Sequence, residues 1–249
     1  MLTLVGLGLG GLESLTQAGI AAISAADTIY AEGYTSPLVP ETLAWIEQEA
    51  GSVLLLSREE VEQPKLLLVA ARNSDIVLLV GGDPFAATTH VSLRLQCSEA
   101  GIECRAVHNT SVLTAVAGEL GLQHYRFGPV TTLVLSEGNY KPLSPVKQVV
   151  QNLELGFHSL VLLDIRADDP AVEPRLMTAQ EGARLLLDGG VLPEALACAA
   201  ARVSRSDQKL WIGSLSEMPQ AGLGLTPHSL VIPGKLHFVE EEALATLRE

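Results

Sequence analysis

Hydrophobic positions in the first half of the chain follow two alternating rhythms. Short apolar runs at residues 2–5, 28–31, 53–56, 76–80 and 102–107 are separated by stretches whose apolar side chains recur at helical spacing, as Leu15, Ile20 and Ile23 do. The intervening helices are expected at 40–48 and 65–72 and from Val91 onward, with a charged turn at residues 57–60. The run Ile76-Val77-Leu78-Leu79-Val80 has no polar face, which is the pattern of a strand buried on both sides. Strands alternating with helices predict a mostly parallel sheet with helices on its faces. From Asn109 the pattern changes. A helix is expected at 111–120, a β-rich run at 130–136, a turn-rich insert at 138–145 and a helix at 146–155. A strand at 159–165, a loop to Pro174 and a helix at 178–187 follow. Strands at 195–201, 209–212 and 229–232 and a short helix from Glu240 complete a mixed α/β half with some antiparallel pairing. The pattern therefore reads as two α/β domains, 1–108 and 109–249, joined by a short connection near residues 107–112.

Composition narrows the class. The chain has 249 residues, enough for two domains that each bury a core. Hydrophobic residues are 47% and aromatics 4%, so that core is Leu, Val and Ala rather than rings. With 16 basic against 29 acidic residues and a formal net charge of −13, the chain lacks the basic stripe that phosphate neutralisation needs, and nucleic acid is not an expected partner. Cys97, Cys104 and Cys198 have no paired spacing and lie in apolar or helical contexts, as buried thiols of a reducing compartment do. The start, Met1 to Gly6, has no basic region before its apolar residues, and no apolar run approaches the ~18 residues of a membrane span. The expectation is a cytoplasmic protein with no membrane partner.

The candidate chemistry clusters at strand ends. Gly81-Gly82-Asp83-Pro84-Phe85-Ala86-Ala87-Thr88-Thr89-His90 breaks the apolar strand at two glycines, exposes one carboxylate and enters a helix. Ligands of α/β folds sit beyond such strand ends; the simpler reading is a tight turn with Asp83 in solvent. Gly6, Gly8 and Gly11 satisfy the G-x-G-x-x-G spacing, with Glu32 where a dinucleotide fold would hold its ribose, so an NAD-dependent oxidoreductase is an alternative. Glycines that turn a strand away from a ligand look the same in sequence. His108-Asn109-Thr110-Ser111-Val112 opens a helix and is either a cap or the edge of a ligand site. Leu163-Asp164, Ala201-Arg202-Val203 and His228 stand at strand ends and are read equally well as packing. Six histidines without metal-ligand spacing offer no metal site, and no nucleophile elbow or P-loop is present.

Taken together, several blocks resemble the archaeal diphthine synthases, a branch of the tetrapyrrole-methylase-like methyltransferases. They are Gly6-Leu7-Gly8-Leu9, Ala31-Glu32-Gly33-Tyr34-Thr35-Ser36, Leu56-Ser57-Arg58-Glu59, Gly82-Asp83-Pro84 with Ala87-Thr88-Thr89-His90, Gly121-Leu122 with Tyr125-Arg126-Phe127-Gly128, Leu163-Asp164-Ile165, and Ile232-Pro233-Gly234-Lys235-Leu236-His237. The resemblance runs in order from residue 2 to about residue 240. It implies a tetrapyrrole-methylase-like fold of two α/β domains with the cofactor cleft between them, assembled as a homodimer. It further implies S-adenosyl-L-methionine as methyl donor, S-adenosylhomocysteine as product, and translation elongation factor 2 as protein substrate. The reaction implied is N-methylation of the aminocarboxypropyl-modified histidine of that factor in diphthamide biosynthesis. Carried over position by position, the cofactor contacts fall on Leu9, Asp83, Ala86, Ser111, Val112, Leu163, Val203 and His228. Two places depart from the family's pattern: Gly10-Gly11-Leu12-Glu13 replaces an aromatic and acidic patch, and Phe85-Ala86 replaces a more aliphatic pair. A methyltransferase of the same fold acting on a tetrapyrrole precursor of precorrin or uroporphyrinogen type is the other alternative. In-line methyl transfer needs alignment rather than an enzyme nucleophile, so no catalytic residue is assigned. A proton acceptor for the amine is still required, and His90 and His228 are candidates by type.

Overall fold

The computed structural model describes residues 1–135, 142–168 and 173–248. Residues 138–141 of the insert expected at 138–145, the end of the run at 130–136 and part of the loop before Pro174 lie outside them, and the last two residues of that insert, Ser144 and Pro145, open a helix. The chain divides into two compact units, Met1–Ser111 with Ile165–Arg175, and Val112–Asp164 with Leu176–Glu249. The sequence pattern draws the division at 108/109 and leaves Ile165–Arg175 in the second half. That segment belongs to the first unit, tied there by the Arg58 N–H, which donates to Asp168 O at 3.1 Å, and by the Arg58 guanidinium, which pairs with the Asp168 carboxylate at 2.5 Å. A contact so distant along the chain leaves no periodic trace.

The first unit runs β1 (Leu2–Gly6), α1 (Gln17–Ser24), β2 (Thr28–Glu32), α2 (Pro40–Ala50), β3 (Val53–Leu56), α3 (Arg58–Glu62), α4 (Lys65–Asn73), β4 (Ile76–Val80), α5 (His90–Glu99) and β5 (Cys104–Val107). Its sheet has the order β3-β2-β4-β1-β5 and every pairing is parallel. The apolar run of β4 is buried on both faces because the sheet is covered on both. Ile76, Leu78 and Val80 pack with Leu67, Ala71, Leu93 and Cys97 of the α4 and α5 layer. The alternate residues Val77 and Leu79 pack with Ile23 and Ile46 of the α1 and α2 layer. Residues 57–60, expected as a turn, are instead the cap and first turn of α3. The Ser57 hydroxyl accepts from Glu60 N while the Glu60 carboxylate accepts from Ser57 N, and this reciprocal pair starts a helix at once.

The second unit runs α6 (Val112–Glu119), β6 (Thr131–Leu133), α7 (Ser144–Glu154) and β7 (Ser159–Leu163). The chain then makes a small ribbon of β8 (Ile165–Arg166) and β9 (Arg175–Leu176), of which all but Leu176 belongs to the first unit. The second unit resumes with α8 (Ala179–Asp188), β10 (Leu196–Ala201), β11 (Lys209–Ser214), β12 (His228–Ile232) and α9 (Phe238–Thr246). The strand expected at 159–165 is broken at Asp164, whose carboxylate accepts from Leu135 N at 2.8 Å. The five-stranded sheet has the order β11-β10-β12-β7-β6, antiparallel except for the parallel β6–β7 pair. Its core sets Val161, Leu163, Leu230 and Ile232 against Val149 of α7 and Ala183 and Leu186 of α8. Cys97 and Cys198 are buried, whereas Cys104, expected to be buried, is half-exposed on the edge strand β5.

Candidate functional site

In the first unit the chain leaves the central strands β1 and β4 in two neighbouring turns that are stitched together. Gly8 N–H donates to Gly82 O at 3.1 Å and Gly82 N–H donates to Gly8 O at 2.9 Å, an antiparallel bridge beyond the end of a parallel sheet. Both residues hold positive φ, +73° at Gly8 and +71° at Gly82, which only glycine takes without strain. Asp83 follows directly. Its Oδ1 accepts from Phe85 N at 2.9 Å, and its Oδ2 accepts from His108 Nδ1 at 2.8 Å and Asn109 N at 3.2 Å. Burial opposes ionisation, but the bonds from Phe85 N, His108 and Asn109 N outweigh it and hold the carboxyl below the usual aspartate value. These donors fill three of the roughly four acceptor directions of a carboxylate, so one remains on Oδ1 for a ligand. Leu9 and Ala86, both half-buried, stand on the same two turns, and Ala86 N–H donates to Asp83 O at 3.2 Å.

Asn109 fastens this end of the sheet. Its Nδ2 donates to Gly6 O at 2.9 Å and to Ser14 O at 3.0 Å, and its Oδ1 accepts from Thr110 N at 2.7 Å. The block at 108–111 therefore does more than cap a helix, since His108 and Asn109 anchor Asp83 and the glycine turn. Ser111 is the last residue of this part of the first unit, and Val112 opens α6.

Behind the Asp83 turn lies a buried polar cluster. Glu32, at the end of β2 and fully buried, accepts at Oε2 from Tyr34 N and Thr35 N, both at 3.0 Å, and at Oε1 from the Thr35 hydroxyl. Burial pushes its carboxyl up from 4.5 to about 7 against those bonds and the nearby Arg58 charge. The dinucleotide alternative fails on this geometry. No α-helix opens on the glycine loop: only a three-residue 3-10 turn, Leu12–Ser14, follows it, and α1 starts at Gln17, capped by the Thr16 side chain. The Glu32 carboxylate that should hold a ribose is sealed inside the protein.

Of the expected contacts in the second unit, Leu163 and Val203 are 8% and 7% exposed, so what they offer a ligand is mainly backbone. Val203 follows Arg202, a buried residue at φ +50°. The Arg202 guanidinium bonds to the Asp207 carboxylate, to Asp207 O at 2.8 Å, to Leu223 O at 3.2 Å and to Leu225 O. It gathers the 202–207 turn and the 223–225 loop around Val203, a function that its place after a strand of alanines does not advertise. His228 opens β12 and is buried; its Nδ1 accepts from Ala179 N at 3.2 Å, so Nε2 carries the hydrogen and donates to Leu225 O at 3.0 Å. Burial, helped by the Arg202 charge, lowers the basicity of this ring. His90 is committed likewise, with Nδ1 on Pro84 O at 2.9 Å and Nε2 on the Tyr34 hydroxyl at 3.2 Å. Neither histidine keeps a nitrogen lone pair free to take a proton from an amine. Among the described residues, no group of three or more His, Cys, Asp or Glu side chains could hold a metal ion.

The profile of the Tetrapyrrole (Corrin/Porphyrin) Methylases matches residues 1–219. A diphthine synthase from Methanocaldococcus jannaschii is 40% identical, with 100% of this chain and 99% of that protein covered. The chain belongs to this methylase family. The diphthine synthase of Methanothermobacter thermautotrophicus is 38% identical over 99% of the chain and 95% of its own length, and that of Halobacterium salinarum is 40% identical over 99% and 97%. A crystal structure of a diphthine synthase superposes with a TM-score of 0.89 at 30% identity, covering 99% of this chain and 95% of that one. The tetrapyrrole methylase fold and the methyltransferase class expected from the sequence are thus the ones found, and within the family the likeness to diphthine synthases runs the full length of the chain.

Proposed function

We propose that this methyltransferase is a diphthine synthase. It uses S-adenosyl-L-methionine to methylate the amino nitrogen of the aminocarboxypropyl-modified histidine on translation elongation factor 2. The observation that carries the reading is the full-length likeness to diphthine synthases in a chain whose Asp83 turn suits that cofactor. Two features support the fit. Asp83 is held ionised with one acceptor direction left, which suits an ammonium or hydroxyl group of the cofactor. At Gly82 the place of a β-carbon has nothing nearer than Thr110 O at 3.8 Å and Leu9 Cδ2 at 3.9 Å, room for a ligand to lie against bare backbone. Leu9, Asp83, Ala86 and Ser111 of the first unit and Val112, Leu163, Val203 and His228 of the second are the proposed cofactor contacts.

Bound there, the cofactor supplies a methyl group activated by its sulfonium. The chain's own task is alignment of the attacking nitrogen, worth about 7–11 kcal/mol when reactants are well oriented. The bonds that stitch the Gly8 and Gly82 turns and anchor Asp83 serve that task, and the reading asks for no enzyme nucleophile. Acidic surface in a chain of net charge −13 complements basic patches on a ribosome-binding factor. A translation factor as substrate supports a cytoplasmic enzyme. Exposed Leu66 and Val69 on α4 and Leu95 on α5 are apolar surface that a homodimer would cover.

The test is methyl incorporation. Given labelled S-adenosyl-L-methionine, the protein should label elongation factor 2 that carries the aminocarboxypropyl group and leave the unmodified factor unlabelled, since an imidazole without the added amine offers no nucleophile at that place. Labelling of the unmodified factor, or of uroporphyrinogen instead, would overturn the substrate assignment.

A further inference from the structure

We propose that His90 is a positioning residue of the Asp83 turn, its Nδ1–H anchoring Pro84 O while the Tyr34 hydroxyl satisfies its Nε2; the inference rests on the reading of Asp83 as a cofactor contact. His90 is 1% exposed and opens α5. Its Nδ1 lies 2.9 Å from Pro84 O, and a carbonyl oxygen only accepts, so Nδ1 carries the hydrogen. On a neutral ring Nε2 must then be an acceptor. Its partner at 3.2 Å is the Tyr34 hydroxyl, which can donate. Burial disfavours a second proton on the ring.

Tyr34 is itself fixed in place. Its N–H is held by the buried Glu32 carboxylate, and the Arg58 guanidinium lies over its ring, 4.9 Å from the centroid. The Tyr34 and His90 rings meet edge to face with centroids 6.2 Å apart. A continuous line of contacts therefore runs from the end of β2 through Tyr34 and His90 to the carbonyl of Pro84, next to Asp83. The turn needs an anchor, because Ala87 sits at φ +55°, a conformation that side chains other than glycine seldom take. A histidine that only filled space in the core would not need a defined tautomer or a donor aimed at Pro84.

The test combines a spectroscopic and a binding readout on the whole protein, with S-adenosylhomocysteine as the probe. Long-range proton–nitrogen NMR should show the His90 ring of the wild type as the Nδ1–H tautomer. His90→Ala should weaken S-adenosylhomocysteine binding about tenfold, as expected for one buried hydrogen bond removed. His90→Asn, whose amide can still donate to Pro84 O, should recover binding to within about threefold of wild type. Tyr34→Phe keeps the ring and its packing but leaves Nε2 without its donor; it should keep the Nδ1–H tautomer, which Pro84 O dictates, and weaken binding several-fold, which keeps the proposal open to test if His90→Ala does not fold. A wild-type Nε2–H tautomer, or equal losses in His90→Ala and His90→Asn, would overturn the proposal. So would Tyr34→Phe binding as tightly as wild type. A wild type that does not bind S-adenosylhomocysteine removes the cofactor reading and this inference with it, whereas tight binding by wild type, His90→Ala and Tyr34→Phe alike removes this inference alone.

Discussion

Glu32 should tilt the pH dependence of stability in a way that one substitution can isolate. Its carboxyl is fully buried, and burial raises its folded-state value from 4.5 to about 7. A carboxyl that binds its proton more tightly in the folded state adds stability that is fully present below pH 4.5. That stability drains away as pH rises toward about 7 and changes no further above it. At 1.36 kcal/mol for each unit of pKa, the loss across this window is about 3 kcal/mol. The groups that face Glu32 are Tyr34, His90 and Arg58. His90 opposes the effect, since its value is lowered by burial and it costs stability as pH falls. His90 lies 3.9 Å from that carboxylate and is coupled to it, so Glu32→Gln is compared in the wild type and in a His90→Asn background, where the carboxyl titrates without that partner. Gln keeps a carbonyl for Tyr34 N and Thr35 N, and the Thr35 hydroxyl can turn to accept from its amide. Unfolding free energies from urea titrations between pH 4.5 and 7.5 should therefore show Glu32→Gln gaining about 3 kcal/mol on the wild type across the window. Parallel curves would mean that Glu32 ionises at an ordinary pH in the folded protein.

Asp83→Ala should bind S-adenosylhomocysteine at least about tenfold more weakly while the fold survives with a lowered unfolding temperature, because the three bonds its carboxylate accepts are lost outside both cores of the first unit; calorimetry showing wild-type affinity would reduce Asp83 to a turn residue. Gly8→Val should abolish methyl transfer, since φ +73° costs a β-branched residue about 1–2 kcal/mol or more and its β-carbon would lie 3.1 Å from Asn109 Oδ1 and Ser14 Cβ; unchanged activity would place the glycine turn away from the site. Sedimentation at micromolar concentration should give about twice the mass of the 26.4 kDa chain, and a clean monomer would refute the dimer.

Much of the first unit is legible in the sequence because its signals are local. The β4 run has no polar face since both of its faces are covered, and two glycines followed by Asp83 mark where it stops. The capping box at Ser57 and Glu60 is also written in four adjacent residues, and the helix it starts is recoverable from them. What stays hidden is contact made across the chain. Nothing near Asn109 signals that its amide will join Gly6 and Ser14, roughly a hundred residues upstream. Glu32 occupies the position of a ribose-binding acid by spacing, and only its burial shows that it faces inward. His90 and His228 look like bases until their partners are seen, because residue type carries the chemistry while the fold decides which lone pairs remain.

The commitment of those two imidazoles removes both as proton acceptors, and water is the simplest acceptor left. If the nitrogen to be methylated gives up its proton without help from either ring, the acidity of turnover belongs to the incoming amine, and the protein acts as a jig rather than a reagent. The pH profile of the rate should then move when the substrate amine is replaced by one of different basicity and stay put when His90 is replaced by Asn. Each methyl added changes the basicity of the same nitrogen, so successive transfers on one substrate would run at different paces under one unchanging set of protein contacts.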